Sequence, residues 1–488
     1  MMSFLSSALA RSSRPSGRLV LCLGLLIFAG CAVGPNYHAP KTETAAAFAN
    51  GDQTNLSSAP ITLEWWRDFN DPMLNKLIND ALATNQDLRI ATARIREARA
   101  LRTQAVADAF PVVDGTASYS KSLSSAASTP FALDRSQREL TLYNVGFDAT
   151  WELDIFGGVR RSVEAATAQL QATEANRQAI QISLISELAR NYFELRGGQH
   201  ELDVARKNAQ NQQATLDLTS AKLKAGRATE LDTARARAQV NATLAAIPPL
   251  EGAIKHSIYR LSVLTGQQPA ALEPQLASPA PIPSLPELVN IGNPADLLRR
   301  RPDIRAAERS LEAATAGIGI ETASLFPRVI FNGNAGFSAN RLGAIGNPAT
   351  DTYAFGPQIT WAALDLGHVR ARIRAAHARA DAQLASYEKT VLLALEETEN
   401  ALVDFGKERT RQRHLRDSVD AAAAATGLAR QRYEGGVADF LPVLDAERTE
   451  LDVEAQLARS ETLTATSIVA IYKALGGGWE AATNSAQR

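Results

Sequence analysis

Between Tyr143 and Trp151 the chain alternates. Tyr143, Val145, Phe147, Ala149 and Trp151 are apolar, whereas Asn144, Gly146, Asp148 and Thr150 are small or polar. A period of two predicts a strand with one apolar face. The pattern returns with Tyr353, Phe355, Pro357, Ile359 and Trp361 set against Ala354, Gly356, Gln358 and Thr360. Upstream of the second copy, Val329, Phe331, Ala335 and Phe337 oppose Asn332, Asn334 and Ser338. Upstream of the first, Val113, Ala117 and Tyr119 oppose Asp114, Thr116 and Ser118 more weakly. Two hairpins follow, over residues 111–152 and 328–362, with polar loops near 120–129 and 340–350. Pro357 lacks a ladder donor, so it must sit where none is needed or mark a bulge.

The pattern elsewhere is helical. Residues 158–224 contain no proline, which allows one helix of ~100 Å at 1.5 Å per residue. Residues 369–434 read the same way. Ala-rich stretches at 164–168, 371–385 and 421–425 permit close helix packing. Gly226 and the pair Gly435-Gly436 stop these helices. Thr229-Glu230-Leu231-Asp232 restarts the chain with a capping-box pattern, and Asp439 is placed to do the same in the second copy. The returning helices span 229–266 and 439–475, and Pro248-Pro249 should kink or interrupt the first. Shorter helices precede each hairpin, at 85–109 and 302–325. A Pro-rich connector, 268–301, is expected to run extended over the outside of the helices.

These elements occur twice. Trp151-Glu-Leu-Asp-Ile-Phe-Gly157 returns as Trp361-Ala-Ala-Leu-Asp-Leu-Gly367, 210 residues on. Glu187 and Glu397, Gly226 and Gly436, and Gly266 and Gly476 keep that spacing. The chain therefore divides into repeat 1, 85–267, and repeat 2, 302–477, an internal two-fold repeat with a tail at 478–488. Hairpin tips should lie at one pole and the glycine turns at the other.

The amino terminus changes the picture. Arg11, Arg14 and Arg18 precede a short apolar run that ends at Phe28-Ala29-Gly30-Cys31. This reads as an export signal, 1–30, and small residues before a cysteine resemble a lipoprotein processing site. Cys31 is then the acylated residue, heading a lipidated segment, 31–84. Ala32 after it implies sorting to the outer membrane. Cys22 would leave with the signal, so the mature chain can form no internal disulfide. Past Cys31 no apolar run reaches the length of a transmembrane helix. Any crossing must use strands.

Composition excludes several classes. The formal net charge of −1 gives no basic surface for nucleic acid. Arg299-Arg300-Arg301 reads as a solvated turn. The six histidines show no His-x-x-x-His spacing, and neither a Gly-x-Ser-x-Gly elbow nor a phosphate-binding loop occurs. No enzyme and no cofactor are expected.

Alternation alone also suits a soluble half-buried sheet. Aromatic residues at both ends of the apolar rows, Tyr143, Trp151, Tyr353 and Trp361, resemble membrane-interface girdles, and the export signal favours the membrane. Four strands cannot close a barrel, because small barrels need about eight. Open edges in lipid are untenable, so copies must combine. Three give 12 strands and a water-filled bore.

At this point the chain resembles the TolC-like outer-membrane factor family, in its OprM/NodT-type lipoprotein branch. The resemblance rests on Cys31-Ala-Val-Gly-Pro-Asn-Tyr37, Trp65-Trp66, Trp151-Glu-Leu-Asp-Ile-Phe-Gly157, Ala295-Asp-Leu-Leu-Arg-Arg-Arg-Pro-Asp-Ile304, and Tyr433-x-x-Gly436 followed by Leu444-Asp-Ala-x-Arg448. It implies an α+β membrane protein: a homotrimer whose outer-membrane β-barrel, four strands per chain and 12 in all, continues into a long periplasmic α-helical barrel. It further implies a Gram-negative outer membrane, a periplasmic adaptor, an inner-membrane efflux pump, and passive conduction of drugs and toxic compounds. Competing readings are a duct for type I protein secretion and a lipid-anchored periplasmic scaffold. By the resemblance, Tyr433, Leu441, Asp445 and Arg448 lie near a constriction, where Tyr433 and Arg448 would tie to acids of repeat 1 such as Asp232. Gly226, Gly435 and Gly436 mark the docking tip.

Overall fold

The computed structural model describes residues 32–128 and 134–479. Six strands and seven long helices follow in chain order: β1 Leu56–Ser57, α1 Pro72–Thr84, α2 Gln86–Ala107, β2 Val112–Leu123, β3 Glu139–Leu153, α3 Gly158–Lys224, α4 Glu230–Leu264, β4 Val289–Asn290, α5 Pro302–Ala323, β5 Arg328–Ala339, β6 Asp351–Thr360, α6 Leu366–Glu434 and α7 Leu441–Ala474. The chain forms two compact units. Residues 97–170 and 309–384, with the amino-terminal segment up to Ala39, make the first; 40–96, 171–308 and the chain from Ala385 onward make the second.

The first unit holds one antiparallel sheet of order β2-β3-β5-β6. Its register pairs odd positions with odd positions throughout: Ala117 with Val145, Val145 with Phe337, and Phe331 with Pro357. Side chains alternate across a strand, so one whole face is odd and the other even. The odd face presents Val113, Tyr119, Val145, Phe147, Phe331, Phe337, Tyr353, Phe355 and Ile359, all exposed. Across the even face run polar bonds, Thr116 to Asp148 at 2.9 Å, Asn144 to Ser118 at 3.2 Å and Asn332 to Gln358 at 2.9 Å.

Two glycines shape this sheet. Gly146 and Gly336 are direct partners on the even face. A Cβ on Gly146 would lie 2.7 Å from the Ala335 carbonyl oxygen, and one on Gly336 would strike that of Val145. Strands β3 and β5 therefore approach too closely at this pair for any side chain. Pro357 fits without a bulge. Ser338 donates to the Thr350 carbonyl, and antiparallel bonds alternate along a strand. The Phe331–Pro357 pair is therefore a non-bonded one, and the missing donor points to the open edge of β6.

The second unit is helical, with one large core. Trp65 and Trp66 are buried in it; Trp65 stacks on Tyr472 at 5.1 Å and meets Phe69 edge-on at 6.1 Å. Asp71 caps α1 by accepting from the backbones of Met73 and Leu74, and Tyr192 donates to its other oxygen at 2.9 Å. Burial pushes the Tyr192 phenol up to about 12, so it stays a donor at neutral pH.

Several features depart from the sequence reading. The connector does not simply run extended outside the helices. It carries two short helices, Glu273–Leu276 and Pro294–Arg300, and β4 pairs in parallel with β1. Its Leu272, Leu276, Val289, Ile291 and Leu297 are buried, because they close the core beneath. Pro248 and Pro249 do not interrupt α4; the carbonyls they leave unpaired belong to exposed Leu244 and Ala245 and stay open to water. Asp439 does not cap α7. The cap position is Phe440, without a side-chain bond, and Pro442 in the first turn removes one orphan donor instead.

Arg301 is also no solvated turn residue. Its guanidinium grips Asp303 with two bonds of 3.0 and 2.7 Å, Glu397 at 2.9 Å and the Ala474 carbonyl at 2.7 Å. The connector is thereby bolted to α6 and to the end of α7. Burial raises the Glu397 pKa, but hydrogen bonds from Lys473 and Arg301 outweigh it, and the net shift is downward. A depressed carboxylate pKa stabilises the fold above its unfolded value of about 4.5, and the contribution fades as pH falls through the folded value. Arg301→Ala should cost about 2 kcal/mol, below the figure for a fully buried pair because Glu397 keeps some contact with water. Glu397→Gln should flatten the pH dependence of thermal denaturation below pH ~4.5; an unchanged acid limb would refute this role for Glu397.

Candidate functional site: the helical turns and the sheet base

Each long helix ends in the same way. Gly226 takes φ +66° and Gly436 φ +71°, values that only glycine adopts readily. The Gly226 amide bonds the Leu223 carbonyl and that of Arg227 bonds Lys222; Gly436 with Tyr433, and Val437 with Arg432, repeat this. This paired arrangement satisfies the last helical carbonyls. Around Gly226 and Gly436 there is open space, with no atom within 4 Å of a built Cβ. Gly435 has ordinary backbone angles, and its φ demands no glycine.

The four residues singled out near the second turn do not share one environment. Tyr433 is buried beside Phe440, at 5.5 Å between ring centres, with Val443, Leu444 and Ala236. Lys222 of α3 donates to the Tyr433 carbonyl, and its ammonium lies 4.0 Å from the ring centroid. Tyr433 meets Thr219 at 3.4 Å. Its partners are thus on α3, not the acid Asp232. That carboxylate caps α4, accepting from the Thr229 amide at 3.0 Å and hydroxyl at 2.7 Å. Leu441, Asp445 and Arg448 are exposed, and their spacing puts them on one stripe of α7. Among the described residues, no ion pair includes Asp445 or Arg448. Within the chain, therefore, Arg448 is tied to no acid of repeat 1.

A polar knot escaped the sequence reading. Glu447 is buried and accepts from Thr215 of α3 at 2.6 Å and from Arg430 of α6 at 2.8 Å. It joins three helices just above the turn. A glutamate in a helix carries no sequence mark of burial; its i, i+3 and i+4 spacing from Val443 and Leu444, which face inward, was the available signal.

At the base of the sheet, Trp151 donates its indole N–H to the Ala109 carbonyl at 3.0 Å, and Trp361 donates to Leu325 at 3.0 Å. Each tryptophan ties a strand to the end of the helix that precedes its hairpin. Tyr143 packs on Tyr119 at 5.0 Å, and Tyr353 stacks on Phe355 at 6.3 Å. Cys31 lies outside the described residues, but the chain just after it is held firmly. The Val33 amide bonds the Phe156 carbonyl. Buried Arg161 reaches the Val33 carbonyl at 3.1 Å, the Gly34 carbonyl at 3.3 Å and Asn36 at 2.8 Å. Gly157, at φ +82°, leaves room for Ala32, which would lie 2.6 Å from a Cβ there.

No group of three or more His, Cys, Asp or Glu placed to hold a metal occurs among the described residues. No helix among them is long and apolar enough to cross a membrane. What the first unit offers instead is a sheet with one apolar exposed face, one face crossed by polar bonds and two open edges. The second offers long helices joined in pairs by tight turns.

That combination is one found in membrane ducts. The profile of the family described as outer membrane efflux protein matches residues 77–267 and 293–477. The chain belongs to this family, whose members are efflux channel proteins. It is 34% identical over 471 residues to the solvent efflux pump outer membrane protein SrpC of Pseudomonas putida, covering 94% of this chain and 98% of that one. It is 32% identical over 458 residues to nodulation protein T of Rhizobium leguminosarum bv. trifolii, covering 93% and 96%. Among solved structures, the outer-membrane channel OprN superposes with a TM-score of 0.87 at 44% identity, covering 92% of this chain and all of that one. The open-state MtrE outer membrane channel of Neisseria gonorrhoeae gives 0.81 at 29% identity, covering 92% and 99%.

Glu447→Ala removes the acceptor that Arg430 and Thr215 share. Since Arg430 is only partly exposed, the expected cost is about 2 kcal/mol. Hydrogen exchange should accelerate across 426–450 while the core around Trp65 stays protected. Uniform acceleration, or none, would contradict a local role for this knot.

Proposed function

We propose that this chain is the outer-membrane channel component of a tripartite efflux system, assembled as a homotrimer. The observation that carries the reading is the two-faced sheet with unpaired edges. An apolar face of this extent is stable in lipid and costly in water. Backbone groups on β2 and β6 cannot remain unpaired in a bilayer. Pairing β6 of one copy with β2 of the next solves both problems. With the apolar odd face turned to lipid, the polar even face turns inward, so three sheets would enclose a 12-stranded, water-filled bore.

The helices would extend this bore into the periplasm. Leu441, Asp445 and Arg448, exposed on one stripe of α7, would project into it near the turns. Three copies would form an apolar ring at Leu441 and an acidic ring at Asp445, which resist water and anions respectively. The open glycine turns at Gly226 and Gly436 would receive a periplasmic adaptor, and with it an inner-membrane pump. Names of relatives that handle solvents support small, toxic molecules as cargo. A lined bore without a deep binding pocket passes such cargo passively, leaving selection to the pump.

Acylation at Cys31 would add an anchor in outer-membrane lipid. Arg161 and Gly157 would hold the lipidated segment at the sheet base, where an acyl chain can enter the bilayer directly.

Purified full-length protein added to planar bilayers should give stepwise conductance. Phe147→Arg, which places a charge on the lipid face, should lower the yield of inserted channels, consistent with about 2–4 kcal/mol for a charge at mid-bilayer. Cys31→Ser should leave the protein in the membrane fraction, since strands and not the acyl chain cross the bilayer. Release of Cys31→Ser as a soluble monomer, or absence of conductance, would overturn the reading. Accumulation of an organic solvent or dye in a strain lacking the chain, reversed on complementation, tests the cargo class.

A further inference from the structure

We infer that a row of arginines on the outer flank of α6 binds the carboxylates of peptidoglycan, and so moors the duct to the cell wall it crosses. This rests on the channel reading above, which places the long helices in the periplasm.

The row lies in Lys407-Glu-Arg-Thr-Arg-Gln-Arg-His-Leu-Arg416, which sets five cations against one acid in a chain of net charge −1. The helix sorts them. Arg411 pairs with Glu408 at 3.5 Å, and Arg416 with Glu461 of α7 at 3.3 Å. Among the described residues, no ion pair or hydrogen bond includes Arg409 or Arg413. Arg409 is half-buried, 5.7 Å from the centroid of the Phe405 ring. Burial lowers its pKa, and the charges of Arg416 and Arg413 lower it further. Positions 409, 413 and 416 are four and three residues apart, so they stack on one helix face. Like charges at that spacing destabilise a helix. Asp417, one turn beyond Arg413, forms no ion pair with it. An anion supplied from outside the chain relieves the repulsion.

That face is the outer one. Glu399, Leu402 and Gly406 precede Arg409 on it at the same three- and four-residue steps. The amino-terminal segment covers these three. The Ala49 and Asn50 amides donate to Glu399 at 2.7 and 3.1 Å, Gln53 donates to the Leu402 carbonyl at 3.1 Å, and a Cβ on Gly406 would strike the Gln53 side chain. An extended segment inside the bore would obstruct it, so the side it covers is the outside. Past Gly406 the face opens: Thr410, Arg413 and Asp417 are exposed. In repeat 1 the chain covers the corresponding place itself. Gln199, 210 residues before Arg409, is buried and donates to the Leu276 carbonyl of the connector at 2.7 Å. Repeat 2 leaves this place uncovered and lines it with cations.

The partner follows from the chemistry and the place. A guanidinium offers two parallel N–H donors that match a carboxylate. The row is straight, ~10 Å long at 1.5 Å per residue, and lies about 30 Å along α6 from the turn at Gly435. An adaptor seated on the turns leaves it free. What surrounds the flank of a periplasmic duct is the cell-wall mesh, whose peptide stems carry free carboxylates. One exposed pair holds little, but several pairs on each of three copies add through avidity.

Full-length protein in mild detergent is sedimented with purified Gram-negative sacculi. The unmodified chain should pellet with them and be released as salt rises from ~0.05 to ~0.5 M, because exposed charges are screened. Arg409→Gln with Arg413→Gln should bind about tenfold more weakly, having lost two charge-assisted bonds per copy. Arg413→Gln alone, which breaks no bond within the chain, should show part of that loss, and Arg413→Lys less. Lys389→Gln, elsewhere on α6, should bind like the unmodified chain. Sacculi with amidated carboxylates should not bind. Helical circular dichroism and light scattering should be the same for every variant. Equal binding of sacculi by the unmodified chain and the double variant, or undiminished binding of amidated sacculi, would overturn the inference. So would a loss confined to poly-L-glutamate, a stand-in for an acidic protein, since the row would then be a protein-docking surface. Conductance in planar bilayers without sacculus binding overturns this inference and leaves the channel reading intact. An unmodified chain that gives no conductance overturns the channel reading and this inference with it.

Discussion

The constraint behind this structure is the backbone hydrogen bond at the open edge of a sheet whose apolar face is exposed. A lone four-stranded sheet leaves two rows of donors and acceptors, on β2 and β6. Water would satisfy them, but the odd face is lined by exposed aromatic and branched residues, for which water is the wrong solvent. A bilayer suits that face and strands the edges. Neither solvent suits both the face and the edges of a single chain, and the proposed association of copies resolves that conflict. Even Pro357 conforms: its missing donor falls on the open edge, so the ladder within the chain is intact.

The second unit meets a different demand. Helices of 67 and 69 residues expose far more surface than one helical stripe can bury. Aromatic packing is concentrated where Trp65, Trp66, Phe69, Tyr192, Phe193 and Tyr472 come together. Between that core and the turns the contacts become small and polar, Thr243 with Gln212, Asn208 with Glu454 and Thr215 with Glu447, until Tyr433, Phe440, Val443 and Leu444 form a small apolar cluster at the turn itself. Apolar packing thus holds both ends of the hairpins, and directional bonds hold the stretch between. Bonds of that kind can be exchanged at modest cost when an alternative partner is offered.

Much of the architecture was legible in the chain. The strands followed from period two, and the long helices from the absence of proline between glycine stops. What stayed hidden depended on tertiary partners. Arg301 looked like part of a solvated triplet, yet Asp303, Glu397 and the Ala474 carbonyl enclose it; two of those partners are about 100 or more residues away. Asp439 matched Thr229 by position but not by use, because Pro442 had already removed a donor that a cap would serve. The buried segments of the connector were obscured by its prolines, which exclude long helices and do not exclude burial. For the candidate site, the glycine turns could be read directly. The environment of Tyr433 could not, since Lys222 and Thr219 lie on α3, 211 and 214 residues earlier in the chain.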